Sequence, residues 1–454
     1  MSDWRRQLED IVVPAVARSQ HIVEILVDSA ALDRSAEVFR RHFGPAPAFL
    51  VADSNTFAAA GETVLARLAA DGIATETLVL PAEPRLKPTR ELAEEVGRRW
   101  LAAPAGSVPV AVGSGVLNDL VKYAAFVEGR PFFCVATAAS MDGYASAGAP
   151  LVDCGFKHTI ACAPPRAILA DLDVIAAAPA EMTGWGYGDL AGKVPAGGDW
   201  ILADALGIEP LDDVAWPLVQ DRLRAWLAEP AALRRGDAAA MAGLFAGLTV
   251  TGLAMEFHGS SRPASGADHQ IAHLWEMENL SHNGVPVSHG ACVSIGSLTV
   301  LALFDWLLAQ DLTSLDKEKI IAEAPGFDET QAAIHRAFPN DAVAGRAVVE
   351  SKAKHLSPAA HAERLALIAE TWPALRRRLG AHLLRAGDLR DLLAAAGAPT
   401  LAAEIGLSPD HHKATLDRAR FLRSRYTVLD FLSEVGLLGV ATAAIFQHGG
   451  LMRP

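Results

Sequence analysis

The sequence predicts an α/β N-terminal Rossmann-like nucleotide-binding domain plus an all-α C-terminal domain. Three observations predict it. Up to residue 175, short apolar runs rich in Val alternate with helical patterns, as a parallel sheet covered by helices requires. From Pro179 onward that alternation stops, and Ala, Leu, Glu and Arg fill segments of helical period. At 454 residues, with 51% hydrophobic and 20% charged, the chain exceeds one compact core and has apolar surface enough for two. The expected division is 1–175 and 176–454.

The strands expected in the first half are Ile22–Val27, Ala48–Ala52, Thr75–Leu80, Val108–Val112, Phe132–Ala136 and Ala167–Ala170. Between them Arg34–His42, Ala58–Ala70, Thr89–Leu101 and Asn118–Phe126 read as helices, and Leu151–Ala163 reads as a hairpin around Gly155-Phe-Lys157-His158. In the second half the helical segments include Asp199–Leu206, Trp216–Leu227, Ala238–Phe257, His269–Leu280, Val293–Gln310, Pro358–Leu379, Pro409–Arg423 and Thr427–Glu434.

The formal charge of -13, with no basic block against it, argues against general nucleic-acid binding. Acids stand near the N-terminus where a signal peptide would have an apolar core. The uncharged run Ala238–Met255 approaches membrane-spanning length; its three Gly and two Thr favour a helix buried in protein. Cys134, Cys154, Cys162 and Cys292 lack a Cys-x-x-Cys pair and fit reduced thiols of a cytoplasmic protein, a Cys154–Cys162 disulfide being the alternative.

Gly113-Ser114-Gly115 follows one apolar run and precedes Asn118-Asp119, where a helix can begin. A strand, a glycine turn and a helix start present free N–H groups to a pyrophosphate, although a plain turn has the same pattern. Asp53 ends another strand, where a carboxylate accepts from ribose hydroxyls and repels a 2′-phosphate. This acid precedes the glycine turn, so the order points to a doubly wound fold other than the standard dinucleotide one. Thr137-Ala-Ala-Ser140-Met141-Asp142-Gly143-Tyr-Ala-Ser146, again past a strand, offers small hydroxyls and one Asp to a nicotinamide amide or a polyhydroxy substrate; ordinary turn chemistry is the other reading.

The densest chemistry lies between Met255 and Leu298. If 267–280 is helical, His269 and His273 stand one turn apart on one face, and His289 returns at the start of the next helix. A single His is more often an ordinary structural or surface residue; three gathered among Gly and Ser point to a metal. Asp189, in Gly188-Asp189-Leu190, is the best anionic partner.

These motifs, in this order, resemble the sn-glycerol-1-phosphate dehydrogenases, within the dehydroquinate synthase and iron-containing alcohol dehydrogenase superfamily. The resemblance runs from about residue 20 to 310 through Gly113-Ser114-Gly115 with Asp119 and Lys122, Ser140–Gly143, Ala170–Asp173, Gly188–Leu190, Arg262-Pro-Ala-Ser-Gly-Ala-Asp-His269 and Ser288-His289-Gly290. Arg425–Asp430 is similar to the C-terminal helix of the bacterial branch. Met141 departs from the family's commoner His before Asp-Gly.

The resemblance implies a metal held by Asp189, His269 and His289 and a cofactor, NAD(H) or NADP(H), which the residues read above place around Asp53, Gly113, Ser114, Gly115, Asp119, Thr137, Ser140 and Ser146. It implies reduction of dihydroxyacetone phosphate to sn-glycerol 1-phosphate. His273 would relay the proton and Asp142 would touch the substrate. By position, Arg262, seven residues before His269, and Lys193, four after Asp189, suit the substrate phosphate, and Lys157 either reaches it from the hairpin tip or is a solvated hairpin charge. Zinc, nickel and iron all suit the donor set. The expected partners are a small phosphorylated substrate and further copies of the chain, with no nucleic acid and no membrane span. A dehydroquinate synthase-like cyclase, a dehydrogenase of unphosphorylated polyols and a non-catalytic sensor are the competing readings.

Overall fold

The structure is a computed structural model that describes residues 3–153, 156–448, 450 and 452. The chain forms two compact units, each discontinuous in sequence. The first comprises Met1–Leu190, Pro217–Ser260 and Ala395–Ala398, and the second Ala191–Trp216, Ser261–Ala394 and Pro399–Pro454.

The first unit holds the strands β1 (Glu24–Asp28), β2 (Ala48–Asp53), β3 (Thr75–Leu80), β4 (Val108–Gly113), β5 (Phe133–Ala136), β6 (Gly148–Asp153), β7 (Phe156–Ala161) and β8 (Ala167–Asp171). Six form one parallel sheet in the order β1-β8-β5-β4-β2-β3, while β6 and β7 make the antiparallel hairpin. Every sheet strand expected from the apolar runs is present. The runs are apolar throughout because the central strands are covered on both faces; β4, β5 and β8 are buried at every residue. Phe39, Val64 and Leu68 from flanking helices pack on Leu50, Val110 and Phe133. The strand order turns back between β2 and β4, which places a crevice beyond their carboxyl ends.

The helices that carry the argument are α1 (Asp3–Val16), α2 (Gly115–Val127), α3 (Ala180–Ala191), α4 (Lys193–Ala205), α5 (Ala238–His258), α6 (Ala267–Met277), α7 (His289–Leu308) and α8 (Val428–Glu434). Within the first unit α5 packs against α1. Its start is fixed by Asp237, whose carboxylate accepts from the N–H groups of Ala239 and Ala240, and its end by Gly259 at φ 73°. In the second unit, which among the described residues is helical apart from a two-residue pairing at 281–286, α6 packs against α7. Helices α5 and α7 are long and apolar enough to cross a membrane, yet 72% and 83% of their apolar windows are buried within the protein. Their uniform hydrophobicity is that of core helices.

Candidate active site

In the first unit, the turn Gly113-Ser114-Gly115 joins the central strand β4 to α2, with Ser114 in extended conformation at the N-cap. A side chain at Gly113 would meet Leu117 Cδ1 at 2.3 Å, so the turn closes only with glycine. The free N–H groups of the α2 first turn therefore point past the carboxyl end of the sheet. Asp53 ends the adjacent β2 and caps the turn behind it, its Oδ1 accepting from Thr56 N–H at 2.8 Å. Asn118 is fully buried one turn into α2, and both its amide atoms lack a hydrogen-bond partner among the described residues. Unmatched amides beside a helix N-terminus suit a polar ligand.

Lys122, also on α2, organises the next segment. Its buried ammonium donates to the carbonyls of Gly143, Ser146 and Gly148 at 2.7, 3.0 and 3.1 Å, with Asp119 Oδ1 at 3.9 Å. Desolvation pushes the Lys122 pKa down. Thr137 donates its N–H to Gly113 O at 3.2 Å, and Tyr144 donates its hydroxyl to Ala138 O at 2.9 Å. Met141, the departure noted above, lies over the glycine turn, its Cε 3.2 Å from where a Gly115 Cβ would stand. The stretch 137–146 is thereby laid along the turn, and Asp142 donates its N–H to Asp189 Oδ2 at 2.9 Å. Asp189 is buried on α3, which reaches the segment because Gly186 has no side chain: a Cβ there would stand 1.8 Å from Ala139 O. The structure thus groups the glycine turn, Asp119, Thr137, Ser140, Asp142, Ser146 and Asp189 in one unit.

The second unit brings the three imidazoles together. Ring centroids are 5.9 Å apart for His269 and His273, 5.3 Å for His269 and His289, and 5.5 Å for His273 and His289. His289 opens α7 after the N-cap Ser288. Two carboxylates stand behind them: Asp268 Oδ2 is 2.7 Å from His269 Nδ1, and Glu276 Oε1 is 2.7 Å from His289 Nδ1. Each carboxylate holds the proton on Nδ1 and puts the lone pair on Nε2, the arrangement of metal-binding imidazoles. The sequence reading missed both carboxylates, although the i+3 spacing from His273 to Glu276 was a usable signal.

Lys193 begins α4 and is fully buried. Lys157 and His158 stand on β7, but their side chains lie outside the described residues. Cys154 lies outside them as well, and Cys162 is a free thiol.

Arg262 corrects an expectation. It is fully buried, with Nη1 donating to Tyr426 O at 3.0 Å, Nη2 donating to Asp199 O at 2.9 Å, and Nε 3.2 Å from a Glu209 carboxylate oxygen. All three guanidinium nitrogens face groups of the fold, so the phosphate role falls away.

The family described as iron-containing alcohol dehydrogenase matches residues 26–179. The fold is also that of a probable glycerol dehydrogenase from Sinorhizobium meliloti 1021, with TM-score 0.58 and 16% identity over 93% of this chain and 98% of that one. The family match lies within the first unit, and the likeness to the glycerol dehydrogenase is one of fold. The NAD(P)+ glycerol-1-phosphate dehydrogenase of Bacillus velezensis is 30% identical over 399 residues, covering 88% of this chain and 86% of that protein. Its counterpart from Bacillus subtilis is 31% identical over 85% of this chain and 84% of that protein. The chain belongs to the glycerol-1-phosphate dehydrogenase family.

Proposed function

We propose that the protein reduces dihydroxyacetone phosphate reversibly to sn-glycerol 1-phosphate, with NADH or NADPH as the hydride donor and a divalent ion held by Asp189, His269 and His289. The observation that carries the metal reading is the pair of carboxylate-backed imidazoles, His269 on Asp268 and His289 on Glu276. Two imidazoles and one carboxylate suit zinc, nickel or iron. Such an ion supplies Lewis acidity to the ketone carbonyl, worth roughly several kcal/mol at the transition state.

The protein's own groups do the rest. The α2 N-terminus and the glycine turn receive the pyrophosphate, and Asp53 accepts from ribose hydroxyls. Lys122 holds 143–148 in place, so Thr137, Ser140, Asp142 and Ser146 present fixed polar atoms to the nicotinamide and the substrate. His273, stacked 5.5 Å from His289, delivers the proton to the product oxygen directly or through water. With Arg262 committed elsewhere, Lys193 and Lys157 are the cations for the substrate phosphate. Cys134 and Cys162, unbridged among the described residues, accord with work in the cytoplasm.

The test is NADH oxidation by metal-stripped protein, restored separately with zinc or nickel and given dihydroxyacetone phosphate or dihydroxyacetone. Metal-dependent turnover that strongly favours the phosphorylated ketone is expected. Equal use of dihydroxyacetone would replace this reading with a polyol dehydrogenase.

A further inference from the structure

Asp199, on α4, has no exposed surface. Its Oδ2 accepts from Ala267 N–H and its Oδ1 from Val428 N–H, both at 2.7 Å. These N–H groups open α6 and α8, where no intrahelical acceptor exists. One carboxylate therefore closes two helix starts that lie far apart in sequence, and both helix dipoles favour it there. A Cβ on Gly266 would stand 2.3 Å from Asp199 Oδ2, so the residue before α6 must lack a side chain for the carboxylate to reach it.

The stretch just before α8 is bound to the same point. Arg425 Nη1 donates to Ser265 O at 2.8 Å and its Nη2 to Ser261 Oγ at 2.9 Å. Arg262 bridges Tyr426 O and Asp199 O. From the α6 start the contacts run on to the imidazole: Gly266 N–H donates to Asp268 Oδ1 at 2.9 Å, and Asp268 Oδ2 holds His269 Nδ1. Helix α7, which carries His289, lies so close that a Cβ on Gly296 would be 2.5 Å from Asp268 O.

We propose that Asp199 and the strap Arg425–Val428 are positioning elements for the metal-binding helix, fixing the first turn of α6 and with it the direction of His269 Nε2. The inference rests on the reading of His269 as a metal ligand. Both carboxylate oxygens of Asp199 accept from backbone N–H groups, so it acts through Ala267, Gly266 and Asp268 on the histidine. The strap holds the residues before the same turn through Arg425, which gives residues 425–428 a purpose beyond packing.

The test uses full-length protein stripped of metal. Zinc affinity is measured by competition with a chelator, and the visible spectrum of the cobalt(II) form reports the ligand geometry. Asp199→Asn keeps the size of the side chain but turns an NH2 toward one of the two N–H groups. It should bind zinc about 10–100-fold more weakly and shift the cobalt bands. Arg425→Met should weaken zinc in the same direction, with Arg425→Lys recovering part of the loss. Folded Asp199→Asn with wild-type affinity and an unchanged cobalt spectrum would overturn the proposal. If Asp199→Asn does not fold, the Arg425 pair decides, and wild-type affinity in Arg425→Met overturns it. A wild-type protein that binds no zinc or cobalt removes the metal reading itself, whereas one equivalent bound equally by wild type and variants removes only the positioning role.

Discussion

Glu276 Oε1 lies 2.7 Å from His289 Nδ1, joining α6 to the first residue of α7. The side chain of Glu276 is 9% exposed, so water competes little for the bond. Removing the carboxylate frees the ring to rotate and lowers its basicity. Glu276→Ala should cost about 10–100-fold in metal affinity. Chelator competition measures it, and affinity equal to wild type would show that His289 needs no orienting partner.

Lys122 should prove indispensable for stability as well as for turnover. Lys122→Met takes the ammonium from three carbonyls and leaves only those of Gly143 and Gly148 a second donor, Ser146 Oγ; a buried carbonyl without a donor costs roughly 1–3 kcal/mol. Urea unfolding of the variant should show a loss of about 1–3 kcal/mol. A loss under ~1 kcal/mol would mean that other donors replace the ammonium.

Arg262→Ala should behave as a folding mutant. It removes the donor from two buried carbonyls and leaves Glu209 without its guanidinium, a change of the kind that costs about 3–5 kcal/mol. A folded variant whose only defect is a raised KM for the phosphorylated ketone would restore the phosphate role.

His412 makes stability depend on acid. Burial among Trp275 and Phe446 pushes its pKa down to about 3, and its Nε2 meets Thr299 Oγ1 at 2.8 Å. The folded state keeps the ring neutral, whereas the unfolded ring takes a proton below about 6.5. Its contribution is complete above that pH and is lost as pH falls toward 3, amounting to roughly 5 kcal/mol at most. Thermal melts between pH 7 and 4 should fall less steeply for His412→Leu than for the wild type; equal slopes would rule the residue out.

Much of this architecture is legible in the chain. The sheet strands are continuous apolar runs, and His269 with His273 betrays a helical face by its spacing. Helix α3, absent from the sequence reading, shows what is not legible. Thr183-Gly184-Trp185-Gly186-Tyr187 has poor helix propensity, yet it is helical because its glycines fit where backbone meets backbone. Lys122 appears in sequence only as one residue of a motif, because its acceptors are main-chain carbonyls, which every residue carries. Arg262 misleads for a related reason. Its partners lie 63 and 164 residues away in the chain, so a buried clamp beside a metal motif reads as a phosphate ligand.

The interleaving of the two units bears on how the protein is made. A Cβ on Gly184 would stand 2.6 Å from Gly397 O, so α3, which carries Asp189, takes part of its backing from residues 395–398. On the ribosome that backing emerges about 200 residues after Asp189 itself, a delay of roughly 10–40 s at ordinary synthesis rates. Through that interval the sheet can form from its own contiguous strands, while α3 waits for nearly the whole chain before its last neighbours arrive.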